Sequence, residues 1–413
     1  MNLYKLECVI CGAKYNADEV EYNCPACGDE GILDVIFDYE KISSLYGTSF
    51  NDLVDTSVPT LWRYKKLLPV ELNSAVPESG VGFTPLYKAE RLRKLLGVNN
   101  LFIKDDGRNP TASLKDRASA VGIVKAMEKG VKTATCASTG NAACSFAYAC
   151  AITGIKSHIF LPQTAPKAKI AQLLIYGANV IAIKDTYDRA YELAIEATKK
   201  WGWYNRNCAY NPYLVEGKKT VALEIIEQMG IDNPPDSIVV SIGDGCICSS
   251  IGKAVTDMYE LGFISKMPRI IGVQASGCSP IYDALKNGTE VIECVPDTIA
   301  DSIAVGLPRN RFKAMKYLKK TDGIVEKVTD EEILNATRVL ARNSGVFGEP
   351  AGTTAFAGYL KLLEKGTISK NENVAVIITG NGLKDIDSAM KAVGKPHIID
   401  PSIENVEKIL NEG

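Results

Sequence analysis

The sequence lacks the features that mark membrane-spanning, nucleic-acid-binding and exported proteins. No run of about 18 uncharged apolar residues occurs, which argues against a membrane span. Lysine and arginine total 47 against 49 aspartates and glutamates, and no basic block stands out. Charge therefore gives no support for a nucleic-acid surface. The first residues have no signal-peptide layout. We expect a cytoplasmic protein without nucleic-acid or membrane partners.

Internal repeats and low-complexity segments are also missing from the 413 residues, a length that favours two or three compact domains. Residues 40–80 are predicted to be a connecting stretch, and the last dozen a short exposed helix. Between them, strands are predicted to alternate with helices, as in an α/β protein with parallel sheets. The predicted strands are 133–138, 158–161, 179–183, 237–242, 269–274 and 373–379; the predicted helices are 141–153, 167–176, 187–201 and 249–261.

Cysteine is plentiful, with twelve residues, but most lie inside apolar patterns and favour buried free thiols over a disulfide framework. Two Cys-x-x-Cys-Gly knuckles near the N-terminus are different. Their spacing predicts a four-thiolate zinc site, although a redox pair or inert thiols are the alternatives. Four thiolates leave no open coordination position, so we expect a structural role whose removal leaves the chemistry intact. The predicted ligands are Cys8, Cys11, Cys24 and Cys27.

Lys115 follows a small polar loop and opens an apolar helix pattern. A lysine in that place can form a Schiff base with an aldehyde cofactor, and partial burial would lower its pKa and favour the attacking free amine. Taken alone, the same pattern also describes a solvated lysine in the first turn of a helix.

Three polar turns follow predicted strands, whose carboxyl ends bind ligands in α/β folds. The turn 138–142 offers hydroxyl, amide and backbone N–H groups to a carboxylate, although an ordinary helix N-cap has the same composition. The turn 241–246 has two glycines that can direct N–H groups at a phosphate. It lacks the third glycine of a dinucleotide fingerprint and the lysine of a P-loop. Asp244 in that turn should point away or meet a cation. Thr379 can hydrogen-bond a ring nitrogen.

In this order, the motifs resemble the β-family, or fold type II, pyridoxal-phosphate enzymes, and more narrowly the threonine synthase family. The resemblance covers about residues 80–395 and rests on the segments 109–117, 137–141, 211–220, 347–351 and 379–385. It implies pyridoxal 5'-phosphate as cofactor, an amino acid as substrate, a homodimer and two parallel-sheet domains. The implied division is a zinc-ribbon-like segment over 1–35, a large cofactor domain over 36–130 and 230–413, and a small mobile α/β domain over 131–229.

The resemblance also implies a role for each matching residue. Lys115 would be the Schiff-base lysine and proton shuttle, and Glu349 would close the cofactor face. The other implied cofactor contacts are Asn141 to the phenolic oxygen, Thr379 to the pyridine nitrogen, and the backbone of Gly243, Asp244, Gly245 and Cys246 to the phosphate. The implied substrate contacts are Ser138, Thr139 and Gly140 to the α-carboxylate, with Lys169 and Asn207.

The chain departs from the family pattern where relatives bind the phosphate of O-phosphohomoserine. Cys208 replaces a serine, Leu214 an arginine and Ala142 a common threonine, and each change removes a donor. Candidate replacement cations are Lys167, Lys169, Arg206 and Lys218.

Three functions are compatible with these observations. The first is the family's synthesis of L-threonine and phosphate from O-phospho-L-homoserine and water, by γ-elimination and β-addition. The second is a related lyase of the threonine/serine dehydratase type, acting by β-elimination or β-replacement on another amino acid. The third is a zinc-bearing binding module on a degenerate scaffold, which would leave the cofactor motifs without a purpose.

Overall fold

The computed structural model describes residues 3–165 and 167–412 of the chain and arranges its strands in three sheets. A three-stranded antiparallel sheet has the order β2-β1-β3, a six-stranded sheet the order β12-β11-β10-β13-β5-β4, and a four-stranded sheet the order β8-β7-β6-β9. The strands are β1 Tyr4–Cys8, β2 Lys14–Tyr15, β3 Leu33–Phe37, β4 Leu86–Tyr87, β5 Leu101–Asp105, β6 Thr133–Ala137, β7 Lys156–Pro162, β8 Asn179–Ile183, β9 Tyr204–Asn205, β10 Ser237–Ser241, β11 Arg269–Ala275, β12 Ile324–Val328 and β13 Val374–Ile378.

Helices alternate with these strands along most of the chain. They are α1 Tyr39–Tyr46, α2 Phe50–Leu53, α3 Glu90–Leu96, α4 Lys115–Glu128, α5 Asn141–Thr153, α6 Lys167–Ile175, α7 Tyr187–Trp201, α8 Tyr213–Met229, α9 Cys246–Glu260, α10 Pro280–Asn287, α11 Arg311–Lys320, α12 Asp330–Ser344, α13 Pro350–Glu364, α14 Ile386–Val393 and α15 Ile403–Glu412. No helix among the described residues is long and apolar enough to cross a lipid bilayer.

The six-stranded sheet is parallel except for its edge strand β4. Its central strands β10 and β13 are buried along their whole length, which explains their nearly continuous apolar sequence. Alternate residues face opposite layers. Val239 and Val376 pack in the core beneath α13, whereas Val240 and Ile377 pack in the core that contains residues of α8 and α9. The sheet is therefore covered on both faces.

The four-stranded sheet is entirely parallel and lies between α5 and α7. Cys136 and Ile159 pack with the helix residues of α5, and their neighbours Ala137 and Phe160 pack with those of α7. All four strands lie inside the predicted small domain, but α8, at its predicted end, packs against α4 and α9. The exact domain boundaries stay a prediction.

The predicted α/β class with parallel sheets is confirmed, although several element bounds differ from those predicted. Residues 40–80 include α1 and α2, whose N-caps are Asp38 and Ser49, instead of only connecting chain. Helix α9 begins at Cys246 rather than at Ser249. Its N-cap is Gly245, which has φ +87° and no side chain to signal the start of a helix.

The N-terminal sheet is fixed to the large sheet's outer helices by a buried carboxylate. Asp34 of β3 accepts a hydrogen bond from the Tyr317 hydroxyl at 2.9 Å, and Lys313 Nζ lies 3.4 Å from its Oδ1. Lys313 also donates to the Leu33 carbonyl oxygen at 2.7 Å. Tyr317 and Lys313 both belong to α11, so the segment packs on the body instead of standing apart.

Candidate active site

The predicted site residues surround one cavity of about 590 Å³, at the ends of β6, β10 and β13. Lys169 is not in the cavity wall. Its Nζ lies 2.6 Å from Oδ2 of Asp301, and Asp301 does line the cavity. The predicted residues in the wall are Lys115, Ser138, Thr139, Gly140, Asn141, Asn207, Gly243, Asp244, Gly245, Cys246, Glu349 and Thr379.

Lys115 is the first residue of α4 and points its amine into this cavity. Burial lowers the pKa of Lys115, and the nearby Lys218 charge lowers it further, while Cys208 and Glu349 oppose the shift. More of the amine is therefore neutral at a given pH than for a lysine in water, as a nucleophile or proton acceptor requires.

The turn between β10 and α9 is compact because its glycines have no room for side chains. A Cβ on Gly243 would lie 2.7 Å from the Cα of Ile303, and one on Gly245 would lie 3.0 Å from the Asn310 carbonyl oxygen. The Asp244 carboxylate accepts the Arg309 backbone N–H at 2.7 Å, so it holds the neighbouring loop. The turn presents the N-terminus of α9 to the cavity, a position suited to an anion.

Two amide side chains in the cavity wall have unsatisfied polar atoms. Asn207 accepts the Ala137 backbone N–H at Oδ1, at 2.8 Å, and Asn141 donates from Nδ2 to Glu349 at 2.6 Å. Asn207 Nδ2 and Asn141 Oδ1 are buried and have no hydrogen-bond partner among the described residues. Buried polar atoms are almost always paired, so these two indicate a ligand in the cavity.

Glu349, the N-cap residue of α13, is a buried carboxyl group in the same wall. Burial and the nearby Asp301 carboxylate raise the pKa of Glu349 to about 7, although Lys169, Lys384 and Lys115 act in the opposite direction. The group therefore changes between its neutral and charged forms near neutral pH.

Arg206 and Lys218 bring two buried positive charges to the cavity around Cys208. Arg206 Nη1 lies 3.2 Å and Lys218 Nζ 3.1 Å from the Cys208 sulfur. Their hydrogen-bond partners within residues 3–165 and 167–412 are thiol and hydroxyl groups and include no carboxylate. Buried cations without a carboxylate favour binding of an anion.

Leu214, where the family resemblance implies an arginine, is buried against α4. A Cβ on Gly122 of α4 would lie 2.7 Å from its Cδ2. The side chain of Lys167 lies outside the described part of the structure.

Sequence reasoning missed the loop 293–309, which supplies a large part of the cavity wall, including Cys294, Asp301, Ile303 and Arg309. It also missed Tyr191 of α7, on the same wall. The loop has no glycine-rich turn after a strand, and its contribution comes from packing against the turn at Gly243. The signal in the sequence that could have pointed to this loop is the negative charge of Asp301. In the structure this residue forms an ion pair with Lys169.

The four knuckle cysteines converge at the end of the N-terminal sheet. The four sulfur atoms all lie within 4.8 Å of one another; they belong to Cys8, Cys11, Cys24 and Cys27. Each knuckle ends in a glycine with positive φ, +72° at Gly12 and +64° at Gly28. The structure thus gathers four thiols at a spacing compatible with one tetrahedral metal ion.

The cavity fits pyridoxal phosphate on the evidence of its own residues. It contains an amine with a lowered pKa for the aldehyde, and a helix N-terminus behind a tight glycine turn for the phosphate. Asn141, whose Oδ1 has no partner among the described residues, and Thr379 also line this cavity.

Comparison with known proteins agrees with this reading. Residues 78–380 match the family described as "Pyridoxal-phosphate dependent enzyme". Threonine synthase from Methanosarcina acetivorans is 38% identical over 411 residues, covering 99% of both chains. Threonine synthase from Methanocaldococcus jannaschii is 38% identical over 408 residues, or 98% of this chain and 99% of that protein. Both alignments are long enough to include the cysteine knuckles.

Solved structures share the fold of the body. The processed form of threonine deaminase isoform 2 from Solanum lycopersicum aligns with a TM-score of 0.65 and 26% identity, over 75% of this chain and 87% of that one. Maize serine racemase aligns with a TM-score of 0.65 and 20% identity, over 80% of this chain and 92% of that one, which is a likeness of fold alone.

Proposed function

The chain belongs to the pyridoxal-phosphate-dependent enzymes, and within them to the threonine synthases, and we propose that it converts O-phospho-L-homoserine and water to L-threonine and phosphate. The observation that carries this proposal is the 38% identity to threonine synthases over 98–99% of the chain, a span that includes the knuckle segment. The threonine deaminase structure aligns with a smaller share of this chain, 75%, and at a lower sequence identity, 26%. The comparisons therefore do not favour the dehydratase alternative.

The residues around the cavity divide into those that would hold the cofactor and those that would hold the substrate. When bound, pyridoxal phosphate supplies an electrophilic carbon for the substrate amine and a ring that stores the electron pair released at the α-carbon. Lys115 would hold its aldehyde end, the turn 243–246 its phosphate, and Thr379 its ring nitrogen. Asn141 would contact its phenolic oxygen.

Lys115 Nζ is the group that would move the proton of the α-carbon. Its lowered pKa keeps more of the amine neutral and able to accept that proton. Ser138, Thr139 and Gly140, at the N-terminus of α5, would bind the substrate carboxylate and fix the α-carbon near Lys115.

The leaving phosphate requires cations other than the arginine that Leu214 replaces. Arg206 and Lys218 supply two buried charges in the cavity wall, and Asn207 Nδ2 adds a donor that has no partner in the described part of the chain. Lys169 is a further candidate, since its Nζ lies 3.9 Å from the position that a Cβ on Gly140 would occupy. These groups would stabilise the phosphate as its bond to the γ-carbon breaks.

Product analysis separates the proposed reaction from the dehydratase alternative. The purified enzyme loaded with cofactor should release one phosphate and form one threonine for each O-phospho-L-homoserine consumed. It should form little keto acid from threonine or serine. Keto acid as the main product, with no phosphate release, would instead support the dehydratase.

Replacing Lys115 tests the assignment of the catalytic amine. We expect Lys115→Ala to lower kcat at least about 10³-fold while the protein stays folded, because both the cofactor attachment and the proton acceptor are lost. Peptide mapping after borohydride reduction of wild type should place the cofactor on Lys115. The exposed Lys88 provides the control, since Lys88→Ala should keep wild-type kcat. A reduced adduct on another lysine would contradict the assignment.

Two structural properties complete the proposal. Cys8, Cys11, Cys24 and Cys27 would bind one structural zinc ion, as their convergence supports. The chain would form a homodimer, as the family resemblance implies, and light scattering after gel filtration would measure its mass.

A further inference from the structure

Cys208 differs from the other cavity thiols because two cations are in direct contact with its sulfur. Lys218 Nζ and the Arg206 guanidinium both lie at hydrogen-bond distance, and neither has a carboxylate partner among the described residues. Cys208 is half-buried and lines the cavity, so a small molecule that enters the cavity can reach it. Among the described residues, the Cys208 sulfur is the hydrogen-bond partner that both cations share, and as an anion it would offset part of their charge.

We propose that Cys208 is a nucleophilic thiolate and a site of covalent modification by soft carbon electrophiles. With iodoacetamide, the sulfur electron pair forms the new S–C bond, and the electrons of the C–I bond leave with iodide. The added group would lie between Arg206 and Lys218. The proposal does not depend on which amino acid the enzyme converts.

The surrounding charges act in the required direction. A hydrogen bond from Cys246 and the charges of Lys218 and Arg206 hold the pKa of Cys208 well below its usual range, although burial opposes them. The pKa of Cys246 is raised well above its usual range, so this thiol stays protonated and can give its single S–H to Cys208, while its sulfur also lies 3.3 Å from Oδ2 of Asp244. The groups that face Cys208 are Lys115 on α4, Cys136 on β6, Tyr191 on α7, Arg206 after β9, Lys218 on α8, and Asp244 and Cys246 in the turn before α9.

The same cavity contains a matched control. Cys136 also lines the wall, but it is buried, and burial raises its pKa to about 12. Of the cysteines in the cavity wall, Cys208 lies beside two cations, whereas Cys136 stays protonated. Their difference in labelling reflects both the cations and the greater exposure of Cys208, and substitution of Lys218 separates the two effects.

The test is alkylation of the enzyme with its cofactor bound by iodoacetamide between pH 6 and 9, with the label on each cysteine quantified by peptide mass spectrometry. We expect Cys208 to be labelled before Cys136, at a rate that changes little between pH 7 and 9. An ordinary thiol with a pKa of about 8.5 instead gains about tenfold in rate per pH unit below that value. No label on Cys208, or the profile of an ordinary thiol, would overturn the proposal.

Substituting Lys218 tests the cause. Lys218→Met should lower the labelling rate of Cys208 at pH 7 by about tenfold or more and move the profile to higher pH, because one charge is lost. Lys218→Arg should keep the wild-type profile. An unchanged profile in Lys218→Met would overturn the role of the cations. If Lys218→Met does not fold, the wild-type profile alone decides.

Discussion

At the scale of single residues, Glu349 is the cavity group whose charge responds to pH near neutrality. Its pKa rises from 4.5 to about 7 in the folded protein, with burial as the largest cause. Because the folded-state pKa lies above that of the unfolded chain, the neutral carboxyl stabilises the folded state fully below about pH 4.5. This contribution is lost as the pH rises through about 7.

The free energy of unfolding of Glu349→Gln should therefore increase relative to that of wild type as the pH rises. Glutamine keeps the shape of the neutral carboxyl group and does not ionise, so the variant should gain on wild type between pH 5 and 8, by up to about 3 kcal/mol. Urea unfolding of both proteins at matched pH values measures the difference. A difference independent of pH would show that Glu349 does not titrate in this range.

Sequence patterns predicted the site residues that follow strands but missed those that only packing brings together. Ser138 and Thr379 could be placed because a polar turn after an apolar strand is visible in the sequence. Lys218 was only one of several candidate cations, because nothing in its helix shows that it meets Arg206 across Cys208. Contacts between side chains on different elements leave no local pattern, so their convergence required the structure.

At the scale of elements, the crossing of α4 and α8 sets the positions of Lys115 and Lys218. Gly217 of α8 lies so close to α4 that a Cβ there would be 2.1 Å from the Arg117 carbonyl oxygen. The nearest atoms are backbone atoms of Arg117 and Ala118, so no flexible side chain could move aside. The glycine therefore fixes the distance between the helix that begins at Lys115 and the helix that carries Lys218.

Gly217→Ala should force α4 and α8 apart and destabilise the fold by about 1–3 kcal/mol. It should also lower kcat, since Lys115 would move relative to the rest of the cavity. Denaturant unfolding and steady-state kinetics measure the two effects. Gly80→Ala is the control, because a Cβ on Gly80 would have no atom within 4 Å. Equal stability of both variants would mean that the crossing adapts at little cost.

The ion pair between Lys169 and Asp301 connects α6 to the loop 293–309. If Lys169 binds the substrate phosphate, Lys169→Ala should lower kcat/KM for O-phospho-L-homoserine by roughly 10- to 150-fold and leave reaction with serine almost unchanged. Asp301→Asn removes the partner and keeps Lys169, so it should cost less. Equal losses in both variants would indicate that the pair only holds the loop.

Helix ends were predictable where the chain has a conventional signal. Predicted and observed bounds agree for α5, α7 and β8, whose patterns are regular and which end in turns or at a glycine. For α9 the expected start at Ser249 was wrong, because a glycine cap has no side-chain signature and the true first turn carries cysteines. The same glycine makes this turn a candidate anion site.

At the scale of the whole molecule, the N-terminal segment contacts the active-site wall. The expectation that its removal leaves the chemistry intact relied on distance along the chain. In the fold, Ile32 packs with Ala209 and Cys246, and Val9 packs against the same cluster. Cys246 begins α9 beside the glycine turn, so the segment supports the site that would hold the cofactor phosphate.

Zinc removal should therefore weaken both the N-terminal segment and cofactor binding. Protein purified without chelator should contain one zinc per chain by elemental analysis, and Cys11→Ser should lose it. Without the metal, Val9 and Ile32 should leave their packing, at about 1.5–3 kcal/mol for each side chain exposed. Equilibrium dialysis should then show weaker retention of pyridoxal phosphate, restored by added zinc. Full retention in zinc-free protein would show that the cavity wall is stable without the segment.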